Sequence, residues 1–62
     1  MTMTGKELLH LLIQNGWELI RIEGSHHILR KGQRIEVIPV HGNKDLPKGL
    51  LNTILRRTGI KP

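Results

Sequence analysis

The chain of 62 residues is long enough for one small domain, and such a domain buries only about 60% of its unfolded surface. It contains no cysteine, which excludes a disulfide framework and a thiolate zinc site, so one apolar core must stabilise the fold. Among Phe, Tyr and Trp only Trp17 is present, which argues against the aromatic base-stacking platforms of many RNA-binding domains.

Charge is distributed unevenly along the chain. Residues 1–24 carry two basic and three acidic side chains, whereas residues 25–62 carry eight basic and two acidic ones. The net charge of +5 is therefore concentrated in the C-terminal half. A cationic half of this kind favours a polyanionic partner, which in the cytoplasm is usually nucleic acid, although a basic surface can also be inert.

No segment has the pattern of a membrane anchor or a secretory leader. Every apolar run is far shorter than the ~20 residues that cross a bilayer. The N-terminus lacks the basic start and the small-residue cleavage site of a secretory signal. We therefore expect a soluble cytoplasmic protein.

The first segment is predicted to be an amphipathic helix. Thr4 followed three residues later by Glu7 is the spacing of a capping box, and Asn15–Gly16 can end the helix in a left-handed conformation. Apolar residues recur at helical spacing between these signals, at Leu8, Leu9, Leu12 and Ile13.

Three strands are predicted to follow, separated by two short turns. They span Trp17–Glu23, His26–Lys31 and Arg34–Val40, with breaks at Gly24–Ser25 and Gly32–Gln33. The short turns predict an antiparallel meander.

Simple alternation fixes which side chains share a face of the first strand. It places Ile20 and Ile22 on one face, and Trp17 and Leu19 on the other. Pro39 cannot donate a hydrogen bond to a neighbouring strand, which favours an edge position or the end of the third strand.

The last segment is predicted to be a second helix. A loop at His41–Lys44 leads to Asp45 as the N-cap, and the helix stops before Gly59. Pro47 then lies in the first turn, where its missing N–H is harmless. The apolar stripe of this helix consists of Leu46, Leu50, Leu51, Ile54 and Leu55.

These elements predict an α+β fold with the order α-β-β-β-α. The two apolar helix stripes can cover one face of a three-stranded antiparallel sheet, which gives a two-layer sandwich. The other face of the sheet is then left to solvent or to a partner.

Four histidines are the first candidates for chemistry. His10, His26, His27 and His41 lack the i, i+3 or i, i+4 spacing of zinc ligands on a helix, so we expect no metal ion. Histidine exchanges protons near neutral pH, and RNA cleavage needs such a group to take a proton from the 2′-OH and to give one to the 5′ oxygen. The same histidines could also begin a strand without any chemical function.

The adjacent pair cannot act together on one phosphate. Successive strand residues point to opposite faces, so His26 and His27 are separated by the sheet. A working histidine acts alone or takes its partner from His10, His41 or a basic side chain. Arg30, Lys31 and Arg34 lie around the second hairpin, where they can stabilise charge on phosphoryl oxygens.

Other residues have a structural interpretation beside the functional one. Trp17 is expected in the core and His41 in a plain loop, and Gly24 is expected at a bend that a side chain would obstruct. Four cations flank the apolar stripe of the last helix and can bind phosphate or simply face solvent: Lys44, Lys48, Arg56 and Arg57.

Three stretches of the chain resemble the HicA family of small toxins from toxin–antitoxin pairs. They are GSHHILRK at residues 24–31, IPVHG at 38–42 and NKDLPKGLLNTILRRTGI at 43–60, and an N-terminal helix running into NGW also fits. The resemblance covers nearly the whole chain and implies a single toxin domain over residues 1–62. It also implies a fold similar to double-stranded-RNA-binding domains.

The same resemblance implies a function and a site. HicA toxins are mRNA interferases, so it implies a metal-independent endoribonuclease without a cofactor. Its essential histidine is that of Gly-Ser-His, here His26, with Gly24 and Ser25 shaping the site. The implied partners are an mRNA substrate and a cognate HicB-type antitoxin. We expect RNA contacts from three cations: Arg30, Lys31 and Lys44.

Two other functions remain open at this point. A non-catalytic RNA-binding module could use the same basic surface on A-form RNA, with the histidines incidental. A protein-interaction domain would instead use the exposed face of the sheet. Cleavage of RNA in the presence of EDTA would distinguish an endoribonuclease from these two non-catalytic functions.

Overall fold

A computed structural model describes residues 1–62 and contains the predicted elements in the predicted order. The helices are α1 at Gly5–Gln14 and α2 at Lys48–Thr58, and the strands are β1 at Glu18–Glu23, β2 at His26–Lys31 and β3 at Arg34–Pro39. The strands form one antiparallel sheet in the order β1-β2-β3, so the predicted α+β sandwich is confirmed. Neither helix has the length and apolar character needed to cross a membrane.

Local signals determine where α1 begins. The Thr4 hydroxyl accepts a hydrogen bond from the Glu7 backbone at 3.1 Å, and the Glu7 carboxylate accepts one from the Thr4 backbone at 2.8 Å. This reciprocal pair satisfies two backbone N–H groups that the first helical turn leaves free. The predicted capping box is therefore confirmed.

The core lies between the two helices and one face of the sheet. Trp17 is only 4% exposed, which confirms its predicted place in the core. Ile13 departs from the predicted stripe, because it is 44% exposed on the outer side of α1. The core cluster consists of Leu8, Leu9, Leu12, Trp17, Leu29, Ile38, Leu46, Leu51, Ile54 and Ile60.

Strand β1 does not follow simple alternation. Its pairing with β2 shifts between Leu19 and Arg21, so Ile20 is the extra residue of a bulge. Leu19 pairs with the core residue Leu29, and after the bulge Ile22 falls on that same face. The prediction that Ile20 and Ile22 share a face opposite to Leu19 is therefore wrong.

Helix α2 begins later than predicted, and Pro47 rather than Asp45 precedes its first residue. Asp45 instead forms an isolated β-bridge with Thr4, and the next N–H, of Leu46, donates to the Met3 carbonyl at 2.8 Å. This extended pairing keeps the segment out of the helical conformation, so Asp45 cannot cap the helix. Pro47 offers no side-chain cap in its place.

The two faces of the sheet have different surroundings. One face carries Leu29 and Ile38 and is covered by the helices. On the other face, which we call the open face, Ile35 and Val37 are 51% and 42% exposed. From the strand register, the residues of β2 and β3 on the open face are His26, Ile28, Arg30, Ile35, Val37 and Pro39.

Candidate active site

One end of the sheet brings the candidate catalytic residues together. Strand β2 begins there with His26, which pairs with Pro39 at the end of β3, and the Val40 N–H donates to the Ser25 carbonyl at 2.8 Å. We call this region, residues 24–26 with residues 39–44, the histidine end. Pro39 pairs without donating a hydrogen bond, which is compatible with its place on an edge strand.

Gly24 makes the turn that leads into β2. Its φ is +60°, in the left-handed region that favours glycine. A Cβ atom at Gly24 would meet no other atom within 4 Å. The turn therefore requires glycine for its dihedral angle, which confirms the expected bend at Gly24, although no neighbouring atom would contact a side chain there.

The two adjacent histidines lie on opposite faces, as predicted. His26 is exposed on the open face. His27 is half-buried on the covered face, opposite Ile38, and its Nδ1 lies 3.1 Å from the Ser25 carbonyl oxygen. This distance fits an Nδ1–H that donates to the carbonyl. His27 is therefore tied to the turn, whereas His26 faces solvent.

Arg30 and Lys31, both predicted to contact RNA, lie on opposite faces. Arg30 shares the open face with His26 but lies four residues along the strand, ~13 Å away. Its Nη2 is 3.3 Å from a carboxylate oxygen of Glu18, the residue opposite it on β1. Lys31 lies on the covered face, and its Nζ donates to the Asn15 carbonyl at 2.8 Å. There it stabilises the C-terminal end of α1.

Lys44, the third predicted RNA contact, belongs to the histidine end. Its backbone N–H donates to the His41 carbonyl at 3.1 Å, which closes a turn after β3. Its side chain is exposed and forms no ion pair. The structure therefore brings His26, His41 and Lys44 to one end of the sheet.

Two further cations begin the helices near this end. Gly5 packs so closely on β3 that a Cβ atom would overlap the Pro39 carbonyl oxygen, so Lys6 in the first turn of α1 lies near the histidine end. The bridge between Thr4 and Asp45 brings the start of α2, with Lys48, to the same region. The sequence alone does not single out Lys6, because the proximity of Lys6 to this end depends on packing between α1 and β3; the only local signal is a glycine at a helix start.

An acidic residue also lies beside the candidate catalytic histidine. Glu23 pairs directly with His26 across β1 and β2, and its carboxylate is bonded to the Arg21 guanidinium. The charge of Glu23 is therefore compensated by a neighbour on its own strand. No group of three His, Asp or Glu side chains is arranged to hold a metal ion.

The geometry and a family comparison together identify the class of protein. The fold is an α+β sandwich like that of double-stranded-RNA-binding domains, with an exposed histidine and a free lysine at one end of the sheet. Residues 5–60 match the family model described as the HicA toxin of bacterial toxin–antitoxin systems. The chain therefore belongs to the HicA toxin family. Comparisons with curated proteins and with solved structures gave no match.

Proposed function

We propose that this protein is the endoribonuclease toxin of a type II toxin–antitoxin pair and cleaves mRNA without a metal ion. Membership in a toxin family supports the general class. The observation that carries the proposal is the position of His26, which is exposed on the open face beside a turn that carries a free lysine, Lys44. An imidazole there can reach a phosphodiester and exchange a proton with it.

The proposed chemistry needs proton transfer at the reacting oxygens and cations close to the phosphate. His26 takes part in proton transfer between the ribose hydroxyls and the protein, and Lys44 stabilises charge on the phosphoryl oxygens. Arg30 can bind a neighbouring RNA phosphate if its guanidinium leaves the Glu18 carboxylate. An exposed ion pair of this kind contributes only about 0–1 kcal/mol, so the exchange is energetically easy.

Lys31 needs a larger rearrangement to contact RNA. Its ammonium group would have to leave the Asn15 carbonyl at the end of α1 and pass around the sheet edge. Its predicted RNA contact therefore stays a prediction.

The toxin family implies an antitoxin as partner, and we propose that it is of the HicB type. The open face offers it an apolar surface next to His26, because Ile35 and Val37 are exposed there and no helix covers them. An antitoxin bound on this face would bury the catalytic histidine or lay a segment across it.

Incubation of the purified protein with a long RNA in EDTA tests the enzymatic function. Cleavage supports a metal-independent endoribonuclease, provided that a His26→Ala variant from a parallel purification leaves the RNA intact. A gel shift without cleavage would support the alternative, a non-catalytic RNA-binding module. If the protein neither binds nor cleaves the RNA, the result would contradict both the endoribonuclease and the RNA-binding module. It would favour a protein-interaction domain.

A further inference from the structure

The strand register continues beyond the last residue of β3. Pro39 pairs with His26 on the open face, and the Val40 N–H donates to the Ser25 carbonyl at 2.8 Å. The Val40 side chain packs against the core cluster, so it lies on the covered face. Because side chains alternate along an extended chain, we infer from this hydrogen bond that His41 lies on the open face together with His26.

The spacing between these two histidines follows from the register. His41 comes two residues after Pro39, the direct partner of His26. If the register continues to His41, the Cα atoms of the two histidines are diagonal neighbours about 7–8 Å apart. Gly24, which would be opposite His41 in this register, has no side chain to stand between them. The turn closed by the Lys44 N–H on the His41 carbonyl holds this loop in place.

The imidazoles of His26 and His41 are both free to bind a substrate. Both side chains are exposed, and neither imidazole forms a hydrogen bond or ion pair with the protein. His27, in contrast, is tied to the Ser25 carbonyl on the other face, and His10 lies on the exposed side of α1. Only His26 and His41 form a pair of free imidazoles on one surface.

We propose that His41 is a second catalytic residue, which gives a proton to the leaving 5′ oxygen while His26 takes the proton of the 2′-OH. This inference rests on the proposed ribonuclease function. The bond from the 2′ oxygen to phosphorus forms as the bond from phosphorus to the 5′ oxygen breaks. The products are a 2′,3′-cyclic phosphate and a 5′-OH end, and one proton has passed from the 2′-OH to His26 and another from His41 to the 5′ oxygen.

The diagonal spacing suits this division of the two proton transfers. The attacking and leaving oxygens lie on opposite sides of phosphorus in an in-line displacement. Each imidazole needs to reach only its own oxygen, at a hydrogen-bond distance of about 3 Å. Two imidazoles in direct contact would leave no room for the phosphate, whereas diagonal neighbours can receive it between them. Lys44, three residues after His41, supplies a cation for the phosphoryl oxygens.

A substrate with sulfur in place of the bridging 5′ oxygen tests this assignment. A cleavage site is first mapped with the wild-type protein on a long RNA in EDTA, and short oligonucleotides with either atom are then made around that site. A thiolate leaves without protonation, so the sulfur substrate does not need a proton donor. We expect His41→Ala to lose about 10²-fold in rate on the oxygen substrate and to approach the wild-type rate on the sulfur substrate.

Matched variants separate this proton transfer from other effects. His26→Ala should be slow on both substrates, and His41→Gln should behave like His41→Ala. The control His10→Ala should stay within about twofold of the wild type on both. A fully active His41→Ala protein, or one equally impaired on both substrates while its thermal melt is unchanged, would overturn the role of His41 alone. Absence of cleavage by the wild type would overturn the ribonuclease function itself.

Discussion

Glu36 and Arg57 form a two-point ion pair that joins β3 to α2. The Arg57 Nη2 lies 2.7 Å from Oε1 of Glu36, and its Nε lies 3.1 Å from Oε2. The Glu36 side chain is only 4% exposed, so this carboxylate is buried with a single cationic partner. The hydrogen bond and the charge of Glu36 raise the pKa of Arg57, against a smaller opposing effect of desolvation. Because a raised pKa favours the protonated form, Arg57 is charged at neutral pH, and its contribution to stability is lost only as the pH rises into the strongly alkaline range.

Removal of this arginine should destabilise the protein markedly. In Arg57→Ala the buried Glu36 carboxylate loses its partner, and we expect the melting temperature to fall by at least about 5 °C. Arg56→Ala is the matched control, because Arg56 is exposed and forms no ion pair. A thermal melt followed by circular dichroism compares the two. Equal melting temperatures would show that the pair does not contribute to stability.

Glycines in the two helices should respond in opposite ways to substitution by alanine. A Cβ at Gly5 would overlap the Pro39 carbonyl oxygen, so Gly5→Ala has to push α1 away from β3 and should destabilise by about 1–3 kcal/mol. Gly49 has open space around it, and Gly49→Ala should stabilise α2 by up to about 1 kcal/mol. Urea unfolding measures both, and a neutral Gly5→Ala would contradict the close contact.

The sequence predicts best what local residues determine. The Thr4–Glu7 capping box, the two tight turns and the alternation of His26 and His27 all act within a few residues, and the structure contains each of them. The start of α2 fails for the opposite reason. Asp45 is a good N-cap by residue type, but its pairing with Thr4, far away in sequence, holds it in an extended conformation.

The candidate site shows the same division between local and distant effects. His26 is recognisable from its motif and from its place at a strand start. The position of His41 depends on the hydrogen bond between Val40 and Ser25, which no pattern around His41 indicates. The partner of Lys31 at the end of α1 is equally distant in sequence, at Asn15. Which cations are free to bind RNA could therefore not be predicted.

RNA binding should be mostly electrostatic and should weaken with salt. If about three to five phosphates are neutralised, log K should fall with log salt at a slope of roughly −2 to −4. Lys44→Ala should reduce the size of this slope by about 1. Lys61→Ala removes the same charge near the C-terminus, beyond the far end of α2, and should change the slope much less. Filter binding at several salt concentrations measures the RNA affinity of the wild type and of both variants. A wild-type slope near zero would contradict binding through electrostatic contacts with the RNA phosphates.

An antitoxin that covers the open face should be sensitive to charge on that face. Val37→Glu places a carboxylate on the exposed apolar surface, and we expect at least about tenfold weaker binding of the antitoxin encoded by the neighbouring open reading frame. Ile13→Glu is the control, because Ile13 is equally exposed but lies on α1. Calorimetric titration compares the variants. A wild-type complex that cleaves RNA as fast as the free toxin would show that the antitoxin does not occlude the site.

The histidine doublet provides the most direct test of the proposed site. His26 is exposed on the open face, so His26→Ala removes the proposed proton-transfer group and should lower the cleavage rate by at least ~10²-fold. His27 lies on the covered face and is bonded to the Ser25 carbonyl, so His27→Ala should act mainly by lowering the melting temperature.

Both histidine variants must be folded before their rates are compared, because a domain of this size has little stability to lose. Far-UV circular dichroism and a thermal melt establish this, and rates are then measured well below the lower melting temperature. Large and equal losses in two folded variants would mean that the faces of β2 do not separate the two imidazoles in solution. A folded His26→Ala protein that cleaves at the wild-type rate would remove His26 from the mechanism, because no other histidine occupies its position beside Pro39 on the open face.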